Sequence, residues 1–471
     1  MGNRDVRRLA VKALRAMGVD GAVAYAFLAR LVNIVGSAGT VLLIAHFLSP
    51  VEQGYYYTLL SLVSLQIVFE LGFSFVVQQF AAHECVHLEL SADGAIRGDA
   101  SAHARLASAL RLTVRWYTAA ALLMGLVLAP LGFVFFARHA APGVAHVDWQ
   151  RPWFAAIAAS VAGLWCVPYY SFIEGCGHVR AVAAMQLRQA AVSMLLAWTA
   201  MVLHAGLFAP ALVIVGYVAV GLHFLASHRR LLFGLLRHRA PEPAACAEID
   251  WRTEVWPFQW RIAVSWMCSY FTVQALIPLL FALRGPVEAG RVGMSLSVTG
   301  YMSVLALTWT STKATPFGFL IARRQFERLF ALFRRAAAQS MGAFAVIAAC
   351  ALTAVALLPS VSPRLAARMV PASLFALLVL GAGANHLTQN FAILLRSFKR
   401  EPFLGQSLAV AAMNLLLAGL LIPRLGMGGA ALGYCVTMCA VGLPYAVAVF
   451  RRARRGQMNQ LELEQLERST A

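Results

Sequence analysis

The sequence predicts an all-α, polytopic membrane protein of about twelve transmembrane helices, arranged as two parallel six-helix bundles around a central cavity. Three observations predict it. The composition is too apolar for a soluble domain, the apolar runs are long enough to cross a bilayer, and one short motif recurs at matching places in the two halves.

Of 471 residues, 60% are hydrophobic and only 13% are charged. The mean hydropathy is +0.71. Apolar runs beyond about 18 residues read as membrane spans. They fall at residues 22–48, 55–82, 113–137, 153–173, 181–203, 207–226, 256–283, 291–312, 337–359, 371–395, 403–423 and 427–450. The first 20 residues are basic (Arg4, Arg7, Arg8, Lys12, Arg15). The run that follows them is too long for a cleaved signal peptide and carries Arg30 and Asn33, so it reads as a retained first span.

Net charge is +19, from 39 basic and 20 acidic residues. No basic run leaves the membrane surface to build a domain, so nucleic acid is not an expected partner. The charge instead reports topology. With the N-terminus inside, the cytoplasmic segments hold 28 Lys and Arg and the outer loops hold seven: Arg138, Arg151, Arg284, Arg291, Arg364, Arg368 and Arg424. That asymmetry predicts both termini on the cytoplasmic side.

The turn after the first span reads LIAHFLSPVEQG and the turn after the seventh reads LLFALRGPVEAG. Pro50-Val51-Glu52 thus recurs as Pro286-Val287-Glu288 on the same face, which predicts a parallel duplication. The expected organisation is an N-terminal bundle over 1–226, a cytoplasmic linker over 227–255, a C-terminal bundle over 256–450 and a tail over 451–471.

Polar residues recur at helical spacing inside the spans. The first has Arg30, Asn33, Ser37 and Thr40; the second has Gln66, Glu70, Ser74 and Gln78. The seventh has Arg261, Ser265, Ser269 and Thr272, and the tenth has Asn385, His386, Thr388, Gln389 and Asn390. Steps of three and four keep each of the first three sets on one side of its helix. Polar faces in lipid point at protein or at a water-filled space, which predicts the central cavity.

One stretch, HECVH at His83–His87, fits the zinc-protease pattern H-E-x-x-H. A zinc site closes only when a third ligand converges on the pair. The mid-span acid is Glu70, on the same helix and about 20 Å of rise away. The motif reads as a wetted helix end, with no catalytic residues. Eight cysteines are scattered without a CxxC, and Cys435 and Cys439 one turn apart read as packing. No metal, disulfide framework or cofactor is expected. None of the three lysines completes a P-loop, so a built-in ATPase is excluded.

Four arginines lie within spans or at their edges: Arg30, Arg115, Arg188 and Arg261. An arginine at the bilayer centre costs about 2.5–3.5 kcal/mol on insertion scales. Its guanidinium also matches phosphate oxygens. Arg30, about 30 Å of rise from Pro50 and in line with Asn33, reads as a cavity residue. Arg261, beside Trp260, is better read as snorkelling to the interface. Arg188 fits either reading, and Arg115 begins its span as an anchor. Glu70 reads as an ion-pair partner for Arg30 or as a coupling group. Residues 313–335, which mix Phe317, Phe319, Phe326 and Phe330 with Arg323, Arg324, Arg328 and Arg334, read as an interfacial amphipathic helix.

LSPVEQGYYYTLLSLVSLQIVFELGFSFVVQQFAAHE (Leu48–Glu84) resembles the helix 1–2 region of polysaccharide-biosynthesis flippases of the multidrug/oligosaccharidyl-lipid/polysaccharide exporter superfamily. WPFQWRIAVSW (Trp256–Trp266), and GMSLSVTG with TSTKATPFG (Gly293–Gly318), resemble its helix 7–8 region. YSFIEGCGHV (Tyr170–Val179) is similar to its helix 4–5 turn. The resemblance implies alternating access and polyprenyl-diphosphate-linked oligosaccharide as substrate, in a bacterial cytoplasmic membrane. Membrane lipids and polysaccharide polymerase or assembly proteins would be partners. The residues themselves agree with such a substrate: Arg30, Asn33, Arg188 and Arg261 read as phosphate ligands, Glu70 as a coupling or ion-pair group, and Gln66, Gln78, Ser265, Asn385 and Gln389 as cavity lining. A multidrug antiporter of the same superfamily is the nearest alternative, although it would favour acidic cavity residues. A membrane glycan-processing enzyme is a more distant one, since the longest outer loop carries a single acid, Asp148.

Overall fold

The computed structural model describes residues 21–85, 88–90, 96–139, 147–237, 256–398 and 402–470. The basic N-terminal segment, His87 and most of the expected linker lie outside the described residues, as do the side chains of Arg30, Asn33 and His83. Helices dominate throughout. Eight of those described are long and apolar enough to cross a membrane. Helices also lie over the four remaining expected spans, namely the first, second, fifth and tenth. The protein is an all-α polytopic membrane protein. Among the described residues its strands are one short antiparallel pair, β1 (Leu88–Leu90) and β2 (Ile96–Gly98).

The chain forms two compact units. The first comprises Met1–Phe47, Gln66–Arg138 and Asp148–Trp260; the second comprises Leu48–Leu65, His139–Val147 and Arg261–Ala471. The second span is therefore divided between them. It starts as α2 (Pro50–Val63), passes through a 3-10 turn at Ser64–Gln66 and α3 (Ile67–Glu70), and restarts as α4 (Phe73–Glu84). Leu71 (φ 55°) and Gly72 (φ 64°) are both left-handed. Glycine takes that conformation without the steric cost a Cβ imposes. The Leu71 carbonyl freed by the break accepts a hydrogen bond from the Gln259 side-chain amide.

In the first unit, α1 (Gly21–Phe47) packs on α7 (Val179–Val202), which also packs on α8 (Ala209–Ser227). α6 (Gln150–Gly175) packs on α8 and α4. α5 (Ala100–His139) precedes α6, and α9 (Arg229–Arg237) follows α8. Two tryptophans fasten this unit through their indole N–H groups, the polar handle that a buried indole must satisfy. Trp198 donates to Thr40 Oγ1 at 3.0 Å, and Trp153 to the Ala129 carbonyl at 3.0 Å. Arg105 Nε meets Glu84 Oε1 at 3.0 Å and ties α5 to the end of α4.

In the second unit, α2 lies along α12 (Pro286–Ser311). Gln53 donates to the carbonyls of Gly290 and Arg368, each at 2.9 Å, and the Arg368 guanidinium donates to the Leu48 carbonyl. The recurring Pro-Val-Glu opens α2 and α12 alike, proline at the first helical position and glutamate at the third. Glu52 completes a capping box: the Ser49 N–H donates to its carboxylate at 2.7 Å, and its own N–H donates to Ser49 Oγ at 3.1 Å. Glu288 instead accepts from the Met427 N–H at 2.7 Å, so it caps the start of α18 (Met427–Val436).

The seventh span runs from α10 (Trp256–Ser269) through a π-turn at Tyr270–Gln274 into α11 (Leu276–Arg284). After α12 come α13 (Ala314–Ala322), α14 (Phe326–Val361), α15 (Pro363–Ala366), α16 (Ala372–Arg396) and α17 (Leu404–Leu425). A second π-turn, Thr437–Gly442, joins α18 to α19 (Leu443–Thr470). The 313–335 stretch departs from the expected single interfacial helix. A left-handed Arg324 (φ 55°) breaks it, and Phe317, Phe326, Phe330 and Phe333 pack into one buried cluster with Leu394. Phe319 alone of the expected apolar face is strongly exposed, at 64%.

Candidate functional site

The second unit holds a half-open cavity of about 350 Å³ whose walls mix polar and apolar side chains. Three helices supply its chemistry, and the sequence spacing explains how. Ser265, Ser269 and Thr272 stand one or two turns apart on α10 and its π-turn. Asn385, Thr388, Gln389 and Arg396 line the opposite wall from a single face of α16. Gln406 and Ser407 complete it from α17, with Trp266 and Phe403 as aromatic walls.

Both π-turns reach this cavity, through Thr272 and Val273 in one and Met438 in the other. A π-turn inserts a residue into the helical ladder and leaves backbone groups to be satisfied elsewhere. Asn414 of α17 meets that need, donating to the carbonyls of Phe271 at 3.2 Å and Thr272 at 3.0 Å. The wall is thus held by side-chain amides. Ser265 and Ser407 hydroxyls lie 3.3 Å apart across the α10–α17 seam, and Gln406 donates to the Gly442 carbonyl at 3.4 Å.

The lining offers hydroxyls, carboxamides and an indole face. Arg396 is its charged group, and no carboxylate lines the cavity among the described residues. No group of three or more His, Cys, Asp or Glu residues suited to a metal is found among them either. Carboxamides and hydroxyls can each both donate and accept, which suits a polyhydroxylated ligand. A guanidinium adds a preference for negative charge.

Of the residues singled out in the sequence, Ser265, Ser269, Thr272, Asn385, Thr388 and Gln389 are brought together here. The polar run of the tenth span divides between two faces. Asn385, Thr388 and Gln389 face the cavity, whereas His386 and Asn390 turn into the protein. His386 Nε2 lies 2.9 Å from Ser340 Oγ, and its ring stacks on Phe344 with centroids 4.9 Å apart. Asn390 donates to the His386 carbonyl at 2.8 Å and accepts from the Thr310 hydroxyl. Arg261, one turn before Ser265, is exposed and is not part of the lining. Arg396 is the cation that lines this cavity. Its signal was present in sequence: it continues the Asn385–Gln389 face two turns further, although its position at a span end reads as a loop cation.

In the first unit, the Ser74 hydroxyl donates to Glu70 Oε1 at 2.7 Å. Gln66 lies half-buried in the 3-10 turn. Gln78 is half-buried on α4, which packs against α6. Arg188 is exposed on α7, while its neighbour Gln189 is buried and donates to the Tyr217 carbonyl at 2.9 Å. The glutamate of the H-E-x-x-H stretch is the Glu84 already paired with Arg105.

No family profile matches the sequence, and no curated protein does. Solved structures do match its fold. An inward-facing multidrug resistance MATE family transporter of the MOP superfamily aligns with TM-score 0.58 and 12% identity, over 92% of this chain and 99% of that one. An outward-facing one aligns with TM-score 0.59 and 11% identity, over 93% and 96%. The Vibrio cholerae MATE transporter VcmN in its bent form aligns with TM-score 0.57 and 14% identity, over 93% and 98%. The chain therefore has the fold of MATE transporters.

Proposed function

We propose that the chain is an alternating-access flippase that moves a polyprenyl-diphosphate-linked oligosaccharide across the bacterial cytoplasmic membrane for cell-surface polysaccharide synthesis. The observation that carries this reading is the chemistry of the cavity in the second unit. It is walled by hydroxyls, carboxamides and Trp266, it carries Arg396, and no carboxylate lines it among the described residues. A cationic drug would meet a cation there, whereas a glycan bearing negative charge would meet matching donors.

The likeness to transporters supports transport as the class of activity and supports no enzymatic role. In this reading Arg30, Asn33 and Arg188 of the first unit and Arg261 of the second receive the diphosphate. Glu70 takes part in coupling, and polymerase or assembly proteins act on the delivered product. The multidrug antiporter is the alternative, and the shared fold fits it equally well.

The test is deletion in the host, with extraction of polyprenyl-linked intermediates. Glycan-loaded lipid accumulating inside an undecorated cell is the expected result. Arg396→Gln should restore surface glycan about tenfold less well than the wild-type gene, because it removes a charge-assisted contact. Glu70→Gln should transport poorly at normal protein levels; wild-type transport by that variant would remove Glu70 from coupling. An unchanged lipid pool together with altered drug resistance would establish the antiporter instead.

A further inference from the structure

A second cleft, about 250 Å³ in volume, lies where α14 begins and α19 leaves its span. Its floor is aromatic. Phe330, Phe333, Arg334 and Ala337 follow the one-face spacing of α14, Phe391 comes from α16, and Phe450 and Arg454 stand one turn apart on α19. Phe391 and Phe450 stack with centroids 4.6 Å apart, and Phe333 meets Phe450 at 5.5 Å. The Arg454 guanidinium lies 5.4 Å from the centre of the Phe330 ring. Arg334 and Arg454 are both exposed, so two cations rim an apolar pit.

The depth of this cleft is set by helix length. α14 has 36 residues, a rise of about 54 Å, against a hydrocarbon core of about 30 Å. Its first turns carry Arg328, Arg334 and Arg335, and the end of the last span carries Arg451, Arg452, Arg454 and Arg455. Glu327, a turn before the cleft on α14, is exposed and does not line it. Basic charge thus predominates at this end of the two helices, beside aromatic surface, and a bilayer spanned by the apolar part of α14 would put its headgroups at that end. A free phosphate would use the cations and leave the rings idle, and a neutral lipid would do the reverse. Basic pockets between spans at this depth are suited to anionic headgroups.

We propose that this cleft binds one anionic phospholipid. Its phosphate sits between Arg334 and Arg454, and the first part of an acyl chain lies against Phe333, Phe391 and Phe450. The site is separate from the polar cavity, so it makes the membrane's anionic lipid a ligand in addition to whatever is transported.

The test uses the full-length protein and native mass spectrometry, with phosphatidylglycerol and phosphatidylcholine of identical acyl chains. The wild type should retain one phosphatidylglycerol preferentially and gain thermal stability from it. Arg334→Gln with Arg454→Gln should cut that retention about tenfold. The Lys pair, Arg334→Lys with Arg454→Lys, should keep most of it, because charge is preserved. Arg364→Gln, in the predicted outer loop, should change nothing. Equal retention of the two lipids, or full retention by the Gln pair, would overturn the proposal. So would inorganic phosphate reproducing the stabilisation.

Discussion

At the residue scale, the same side-chain chemistry does different work according to where a helix turns it. Glu84 is the middle of a zinc-protease pattern, yet its carboxylate is buried and engaged by Arg105. A buried carboxylate with its cation removed loses a charge-assisted contact and keeps its desolvation cost. Arg105→Gln should therefore lower stability by about 1.5–3 kcal/mol, read as thermal melting of the purified protein. Replacing Glu84 with Gln as well should recover part of that loss, since the double variant leaves no uncompensated charge. A double variant no better than Arg105→Gln alone would show that Arg105 acts through packing on Phe80, whose ring centre lies 5.6 Å from its guanidinium.

Elements were more legible than the joints between their halves. Each apolar run in the sequence is covered by helix, because a continuous apolar stretch of that length satisfies its own backbone in a bilayer by forming one. The recurring Pro-Val-Glu was visible as a repeat, and its local meaning, proline then glutamate at a helix start, follows from capping. The break at Leu71–Gly72 is not legible in the continuous apolar run over 55–82, and the division of that span between two compact units had no sequence mark. The π-turns had none either, since the apolar pattern runs on through Tyr270–Gln274 and Thr437–Gly442. The split of the tenth span's polar run into a cavity face and a His386–Asn390 face needed the neighbouring Thr310 and Ser340, which no spacing rule supplies. Close helix approach is equally hidden. A Cβ added at Gly293 would lie 2.6 Å from Tyr57 Cβ, whereas one at Gly300 on the same helix meets nothing within 4 Å. Gly293→Ala should thus destabilise the protein by about 1–3 kcal/mol, as overpacking does. Gly300→Ala should be neutral or stabilising by up to about 1 kcal/mol, from helix propensity. Paired melting curves check both, and equal effects would mean that α2 yields at that crossing.

At the scale of the whole molecule, the outstanding physical statement is orientation, and charge carries it. Insertion places Lys and Arg of short loops on the cytoplasmic side, so the 28-to-7 partition predicts which loops face which compartment. Two exposed positions make the prediction sharp. Gly234 on α9 follows six expected spans and Arg364 on α15 follows nine, so three crossings separate them. In a background without native cysteines, Arg364→Cys should react with a membrane-impermeant maleimide in intact cells. Gly234→Cys should react only after permeabilisation. The added side chain at Gly234 meets nothing within 4 Å, so the label reports location and not a disturbed fold. The reverse pattern would invert the molecule, and with it the cytoplasmic placement expected for both termini. Labelling of both positions from the same side would mean that one of the three intervening helices does not cross, because only an odd number of crossings separates the two compartments.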